Sequence, residues 1–297
     1  MRLMTIDSAV GMAVNPFSKS DDLREPDVVK KVEVERDELV DRALKVYEGI
    51  EDKHDFYQNN QQISKLESIV LNRGQINLFL QKIIKQYPRD RISNKVTGVY
   101  LSKLIGDSYS AGHNDFVLNT CNTRIEDLCY NILGTKEKPI QIRIDGDVGT
   151  YCGRDAQHCF FNNKGGIGWA CGSNARHCTF NNEDGVGDMC GVDAQYCIFN
   201  NNGLIGKMCG FNAKQCKFNN EGDVGDMCGS EAKQCMFNIG GDVGLWCGGR
   251  VGNENWGNAV SSAFRSRNRA TYEKMLKMVP LQYVSVVKGG NRVILLP

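Results

Sequence analysis

The residues with most chemistry to offer are the cysteines, because 11 of the 13 fall on two strict ladders. Cys152, Cys171, Cys190, Cys209, Cys228 and Cys247 follow one another at intervals of 19 residues, and so do Cys159, Cys178, Cys197, Cys216 and Cys235. Thiolates in such number suggest a zinc centre or a thiol-based reaction. His158 and His177 stand on the same 19-residue interval and offer two imidazole ligands for a divalent ion. Asp155, Asn174, Asp193, Asn212 and Glu231 form another such set, with the paired carboxylates that glycoside cleavage uses.

Spacing weighs against each of these chemistries. No Cys-x-x-Cys occurs, so zinc-ribbon and thioredoxin-type sites lose their main support. Zinc ligands must converge on a tetrahedron, whereas residues repeated at a long fixed interval stack as parallel equivalents. The histidine set continues as Tyr196, Gln215 and Gln234, with no third ligand. The acidic set alternates with Asn, as turn capping requires. The Gly-rich segments lack the Gly-Lys-Ser or Gly-Lys-Thr of a phosphate loop. The cysteines are therefore read as small buried apolar residues, and His158 and His177 as surface hydrogen-bonding groups. Disulfides between stacked cysteines remain as a second reading, since neighbours about 4.8 Å apart lie within bridging range. A metal centre remains as a third.

The elements that position these residues follow from a repeat. Counted from Gly146, the rows GDVGTYCGRDAQHCFFNNK and, from Gly222, GDVGDMCGSEAKQCMFNIG show the same 19-residue design. Five full rows span Gly146 to Gly240, and a partial sixth begins at Gly241. The third position is always Val or Ile, the fourth and eighth are Gly, the seventh and fourteenth are Cys and the eleventh is Ala. The sixteenth is Phe161, Phe180, Phe199, Phe218 and Phe237, and the seventeenth is Asn162, Asn181, Asn200, Asn219 and Asn238. Glycine at this density costs about 1 kcal/mol per residue in a helix interior, which excludes helical repeats. Cys at fourteen and Phe at sixteen share one face of a strand, with position fifteen facing water. The pattern predicts a mainly β fold, a parallel β-solenoid with 19-residue coils. In it the Phe column stacks ring on ring, Gly permits positive φ at corners, and the Asn column tolerates left-handed backbone and pairs amide to amide.

Rows such as GDVGDMCG and GDVGLWCG resemble the Gly-x-Gly-rich repeats of the C-terminal domain of glutamate synthase large subunits and of one subunit of formylmethanofuran dehydrogenase. The resemblance covers about residues 144–252 and implies a right-handed β-helix acting as a spacer and assembly surface. Two other solenoid types do not fit. Left-handed acyltransferase helices repeat in hexapeptides, and an ice-binding face needs an array of Thr where the free columns hold only Thr150 and Thr179.

The flanks are read as covers for the open ends of the stack. Residues 1–27 read as poorly ordered and 28–110 as a helical cap, with helices over Asp37–Lys53, Gln61–Tyr87 and Lys95–Tyr109. Gly74 is a potential break in the second, and Ser93 or Asn94 a cap for the third. The β-helix is placed at 111–252, its regular coils at 146–250. An irregular first coil uses Phe116–Leu118 and Ile140–Ile144, with a short helix over Ile125–Ile132. Residues 253–297 are predicted to supply a helix over Ala259–Met278, then a hairpin of YVSVV, KGGN and RVILL.

Composition bounds the partners. The 36 Lys and Arg balance 35 Asp and Glu to a net charge of +1, which argues against nucleic acid or an anionic membrane surface. The basic run Arg265, Arg267, Arg269, Lys274 and Lys277 reads as a solvated helix face. Arg2, Asp7 and Ser8 interrupt any secretory apolar stretch, and no run reaches the roughly 18 apolar residues of a membrane span. The expected compartment is the cytoplasm, where thiols stay reduced, and the odd cysteine count agrees. The expected function is a non-enzymatic structural or assembly protein that engages a protein partner or a second copy, with no catalytic or cofactor residue assigned. The alternative is a metal- or thiol-dependent enzyme, such as an oxidoreductase-associated subunit, that uses the Cys or His columns.

Overall fold

A computed structural model describes residues 37–50, 56–87, 95–245, 247, 263–266, 284–286 and 292–295. The expected disorder over 1–27 and the caps Ser93 and Asn94 lie outside these residues. Eight parallel strands build the solenoid: β1 (Asp115–Asn119), β2 (Ile140–Asp145), β3 (Cys159–Asn163), β4 (Thr179–Asn182), β5 (Ile198–Asn201), β6 (Lys217–Asn220), β7 (Met236–Ile239) and β8 (Ala263–Ser266). Phe161 pairs with Phe180, Phe180 with Phe199, Phe199 with Phe218 and Phe218 with Phe237, so residues 19 apart lie directly over one another. Two further backbone ladders run along the coils, one through Val148, Ile167, Val186, Ile205, Val224 and Val243, the other through Gln157, Arg176, Gln195, Lys214 and Lys233.

Packing explains the invariant positions. The Phe rings stack with centroids 4.6 to 4.9 Å apart and planes within 3°. Each buried ring contributes roughly 1.5 to 3 kcal/mol. The two kinds of Gly serve different ends. Gly172 has φ +62, and an added Cβ would stand 2.7 Å from Phe199, inside the ring stack. Gly168 has no positive φ; its Cβ would instead meet the Gly149 backbone at 2.8 Å. Glycine takes the positive φ expected of it at one corner of each coil, at Gly153, Gly172, Gly191, Gly210 and Gly229, and other residues take the rest. In the first row Tyr151, Asp155 and His158 also have φ of 61, 60 and 49, a pattern that later rows repeat. The Asn162 column corrects the expectation of left-handed backbone, because these residues lie in strands.

The chain from Ile125 to Ile132 is a turn-rich coil instead of the expected helix, with left-handed Asp127, Cys129 and Asn131 at φ 53, 61 and 50. It carries Cys129 into the stack beneath Cys152, the neighbour whose thiol it feels. The interval between them is 23 residues rather than 19, and the departure hides Cys129 from the repeat.

Helices cover the β1 end. They are α1 (Glu38–Glu48), α2 (Phe56–Ser64), α3 (Arg73–Gln86) and α4 (Lys95–Ser110). The single helix expected over Gln61–Tyr87 is two, broken before Gly74, not at it. Ile69 and Leu71 donate their N–H groups to Asp107 and Ser108 of α4, and Asn72 starts α3 with a capping box to Gln75. A strand edge needs partners for its free backbone groups. On β1, Asn77 Oδ1 accepts from Asn119 N at 2.9 Å and Gln81 Nε2 donates to Asn119 O at 2.5 Å, so α3 supplies the partners of that edge at its last residue. α4 approaches the turn at Glu126–Leu128 so closely that a Cβ on Gly98 would overlap Glu126 O.

At the other end, Ala263–Ser266 corrects the helix expected over Ala259–Met278. It is strand β8, pairing Phe264 with Phe237, while the rest of that span lies outside the described residues. The expected hairpin is present. β10 (Arg292–Leu295) runs antiparallel to β9 (Val284–Val286), and its other edge pairs antiparallel with β8.

Candidate functional surface

The thiols face inward. All thirteen cysteines are free, and only Cys121 is exposed. In the column through Cys178 the sulfurs complete the backbone. Cys178 Sγ donates to Arg176 O at 3.2 Å, and Cys197 Sγ accepts from Cys178 N at 3.4 Å. The same pattern recurs at Cys197 and Cys216. A left-handed residue at position thirteen turns the position-fourteen N–H out of the backbone ladder, and a sulfur fills the gap. Hydrogen bonding to the preceding sulfur, then burial, pushes Cys197 and Cys216 up to about 12. In the other column burial pushes Cys129 and Cys152 far above the ordinary thiol range. Such thiols are protonated at neutral pH and are poor nucleophiles.

The histidines face outward but are spent on each other. His158 and His177 stack at 4.8 Å with planes 3° apart, and Tyr196 continues the stack at 4.7 Å. The lone pairs of stacked imidazoles lie in parallel planes, so they cannot meet at one metal ion. Among the described residues no three His, Cys, Asp or Glu side chains gather as a metal site. Burial, then the charges of His158, Arg176 and Lys136, lowers the affinity of His177 for a proton. The acidic set lies at left-handed turns, as Asp155, Asp193 and Glu231 show.

The Asn column forms an amide ladder on the outer sheet face. Asn181 Nδ2 donates to Asn162 Oδ1 at 2.7 Å, Asn200 to Asn181 at 2.7 Å, Asn219 to Asn200 at 2.6 Å and Asn238 to Asn219 at 2.6 Å. A second column, Asn163, Asn182, Asn201 and Asn220, points inward and is buried. Asn220 Nδ2 donates to Gly222 O at 2.6 Å, closing the corner that follows the strand. A residue count of two from Phe predicts this inward face, yet the repeat alone does not mark its amides as corner-closing groups. The outer ladder floors a groove of about 420 Å³ that Arg143, Lys164, Glu183 and Asn200 help to line. Arg73 and Arg143 at its end both pair with Asp115, at 2.9 and 3.0 Å. Beside it Phe160, Tyr196 and Ile198 stay 40, 51 and 40% exposed.

One buried charge lies at the junction with α4. Asp127 is fully buried 2.9 Å from Arg154, whose guanidinium stacks on Tyr130 and Tyr151 at 4.8 and 4.7 Å. Burial, opposed by Arg154 and Lys95, pushes its carboxyl up to about 6.

No protein-family model, curated protein or solved structure compared with the chain matches it. The fold defines the class, a β-solenoid with a helical cover at its first coil. Among the described residues no helix is long and apolar enough to cross a membrane.

Proposed function

We propose that the chain is a non-catalytic assembly module that presents its outer sheet face to a protein partner. The observation that carries this reading is the destination of the periodic side chains. Thiols of the Cys178 column are engaged with backbone groups, imidazoles and amides with their own kind in adjacent coils, and the apolar groups left to solvent include Phe160, Tyr196 and Ile198 on one face. Rigid aromatic and aliphatic groups beside hydrogen-bonding amides are the composition of a protein docking site. The reading agrees with the spacer role implied by the resemblance to glutamate synthase repeats. The free thiols suit a reducing compartment such as the cytoplasm.

A photo-cross-linking residue placed at Ile198 tests the reading in the native host. The expected result is one discrete protein adduct, either a partner or a second copy, that is absent when the probe stands at exposed Leu39 on α1. No adduct, or the same adducts from both positions, would overturn it.

A further inference from the structure

Stacked ligands cannot make a tetrahedron, but they supply the geometry that a two-coordinate ion needs. Thiolates select soft ions such as copper(I), and such filled-shell monovalent cations accept two sulfurs in line. Neighbouring coils are separated by the 4.6 to 4.9 Å seen between Phe rings, and the cysteine backbones are tied at the same step by Gly191 N to Cys171 O at 2.8 Å and Gly210 N to Cys190 O at 2.8 Å. Twice a metal–thiolate bond of about 2.3 Å, the length known for zinc, is about 4.6 Å. An ion midway between two stacked sulfurs therefore meets both at bonding distance.

The two cysteine columns differ in what their sulfurs already do. Cys178, Cys197 and Cys216 are committed to backbone groups. The sulfurs of Cys171, Cys190, Cys209 and Cys228 make no such backbone hydrogen bond and stand buried one coil apart, with Cys247 at the end of the row. Alanine already fills the eleventh position of every coil as a small buried residue, so a buried row of thiols whose first four members make no backbone hydrogen bond asks for another reason.

We propose that Cys171, Cys190, Cys209, Cys228 and Cys247 form a linear binding column for soft monovalent cations of the copper(I) or silver(I) type, one ion in each interval. Binding exchanges one proton for each ion. For each ion one thiol S–H bond breaks and the proton leaves to solvent, two sulfur–metal bonds form, one from that thiolate and one from a lone pair of the neighbouring sulfur, the ion's acetonitrile ligands depart and no oxidation state changes. The buried column stays neutral, which avoids the cost of an unpaired interior charge. The inference is independent of the assembly reading.

Reduced full-length protein, incubated without oxygen with copper(I) supplied as its acetonitrile complex and desalted over the chelator bathocuproine disulfonate, tests the proposal. The expected result is two or more ions retained per chain, one proton released per ion, and X-ray absorption showing sulfur-only coordination by two atoms. Uptake should fall at least threefold in the Cys190→Ala, Cys209→Ala, Cys228→Ala variant and persist in Cys121→Ser. Retention of one ion or none, three-coordinate sulfur, or uptake lost with Cys121 and kept without the column would overturn it. If the triple variant does not fold, coordination number and proton count on the unaltered protein decide.

Discussion

At the residue scale, the strongest constraints come from atoms that touch the next coil. Gly172→Ala places a methyl group against the Phe199 and Phe180 rings at a positive φ, and should cost roughly 2 to 4 kcal/mol in denaturant unfolding. Gly166→Ala meets nothing closer than 3.6 Å and should stay within about 0.5 kcal/mol. Asp127 makes a pH-dependent contribution. Its folded pKa of about 6 lies above the ordinary 3.8, so this group favours the fold most below pH 3.8 and loses that contribution as pH rises through 6. By linkage the change is on the order of 3 kcal/mol. Asp127→Asn should flatten stability across that window, as read by unfolding midpoints at successive pH values.

At the element scale, burial separates neighbours on one strand. Phe161→Ala opens the ring stack and should cost about 3 to 5 kcal/mol, whereas Phe160→Ala, half in solvent, should cost under about 1 kcal/mol. The α3 cover makes a different prediction. Replacing Asn77 and Gln81 together by Ala leaves the Asn119 N–H and C=O of β1 without their partners. The expected loss is about 2 kcal/mol, accompanied by concentration-dependent association through the bared edge, measured by light scattering. Unchanged stability and a concentration-independent mass would remove α3 from that role. This cover is legible in the sequence only as an amphipathic helix near the start of the stack. Which side chains partner that edge depends on the three-dimensional approach of α3, and no periodicity encodes it.

At the scale of the whole molecule, legibility follows the repeat. Where residues recur every 19 positions, strand, register and inward face all follow from counting, because a solenoid makes spatial neighbours out of sequence equivalents. Where the interval changes, counting fails. Cys129 sits 23 residues before Cys152 and Phe264 lies 27 after Phe237, so the first escapes the cysteine ladders and the second reads as part of a helix. The surface is the least legible part. Phe160 and Ile198 occupy a column whose other members include Thr179 and Lys217, and variation there marks only exposure, not what binds.

Stacking at a 19-residue step makes a demand that one excision measures. Removing residues 184–202 takes out one whole coil and rejoins Glu183 to Gly203 in register, leaving every ladder intact but shorter. Circular dichroism and thermal unfolding should then show β structure and a single cooperative transition. Removing residues 184–193 instead places core residues on the outer face and should abolish that transition. Loss of folding in the whole-coil excision, or equal tolerance of both, would contradict the account.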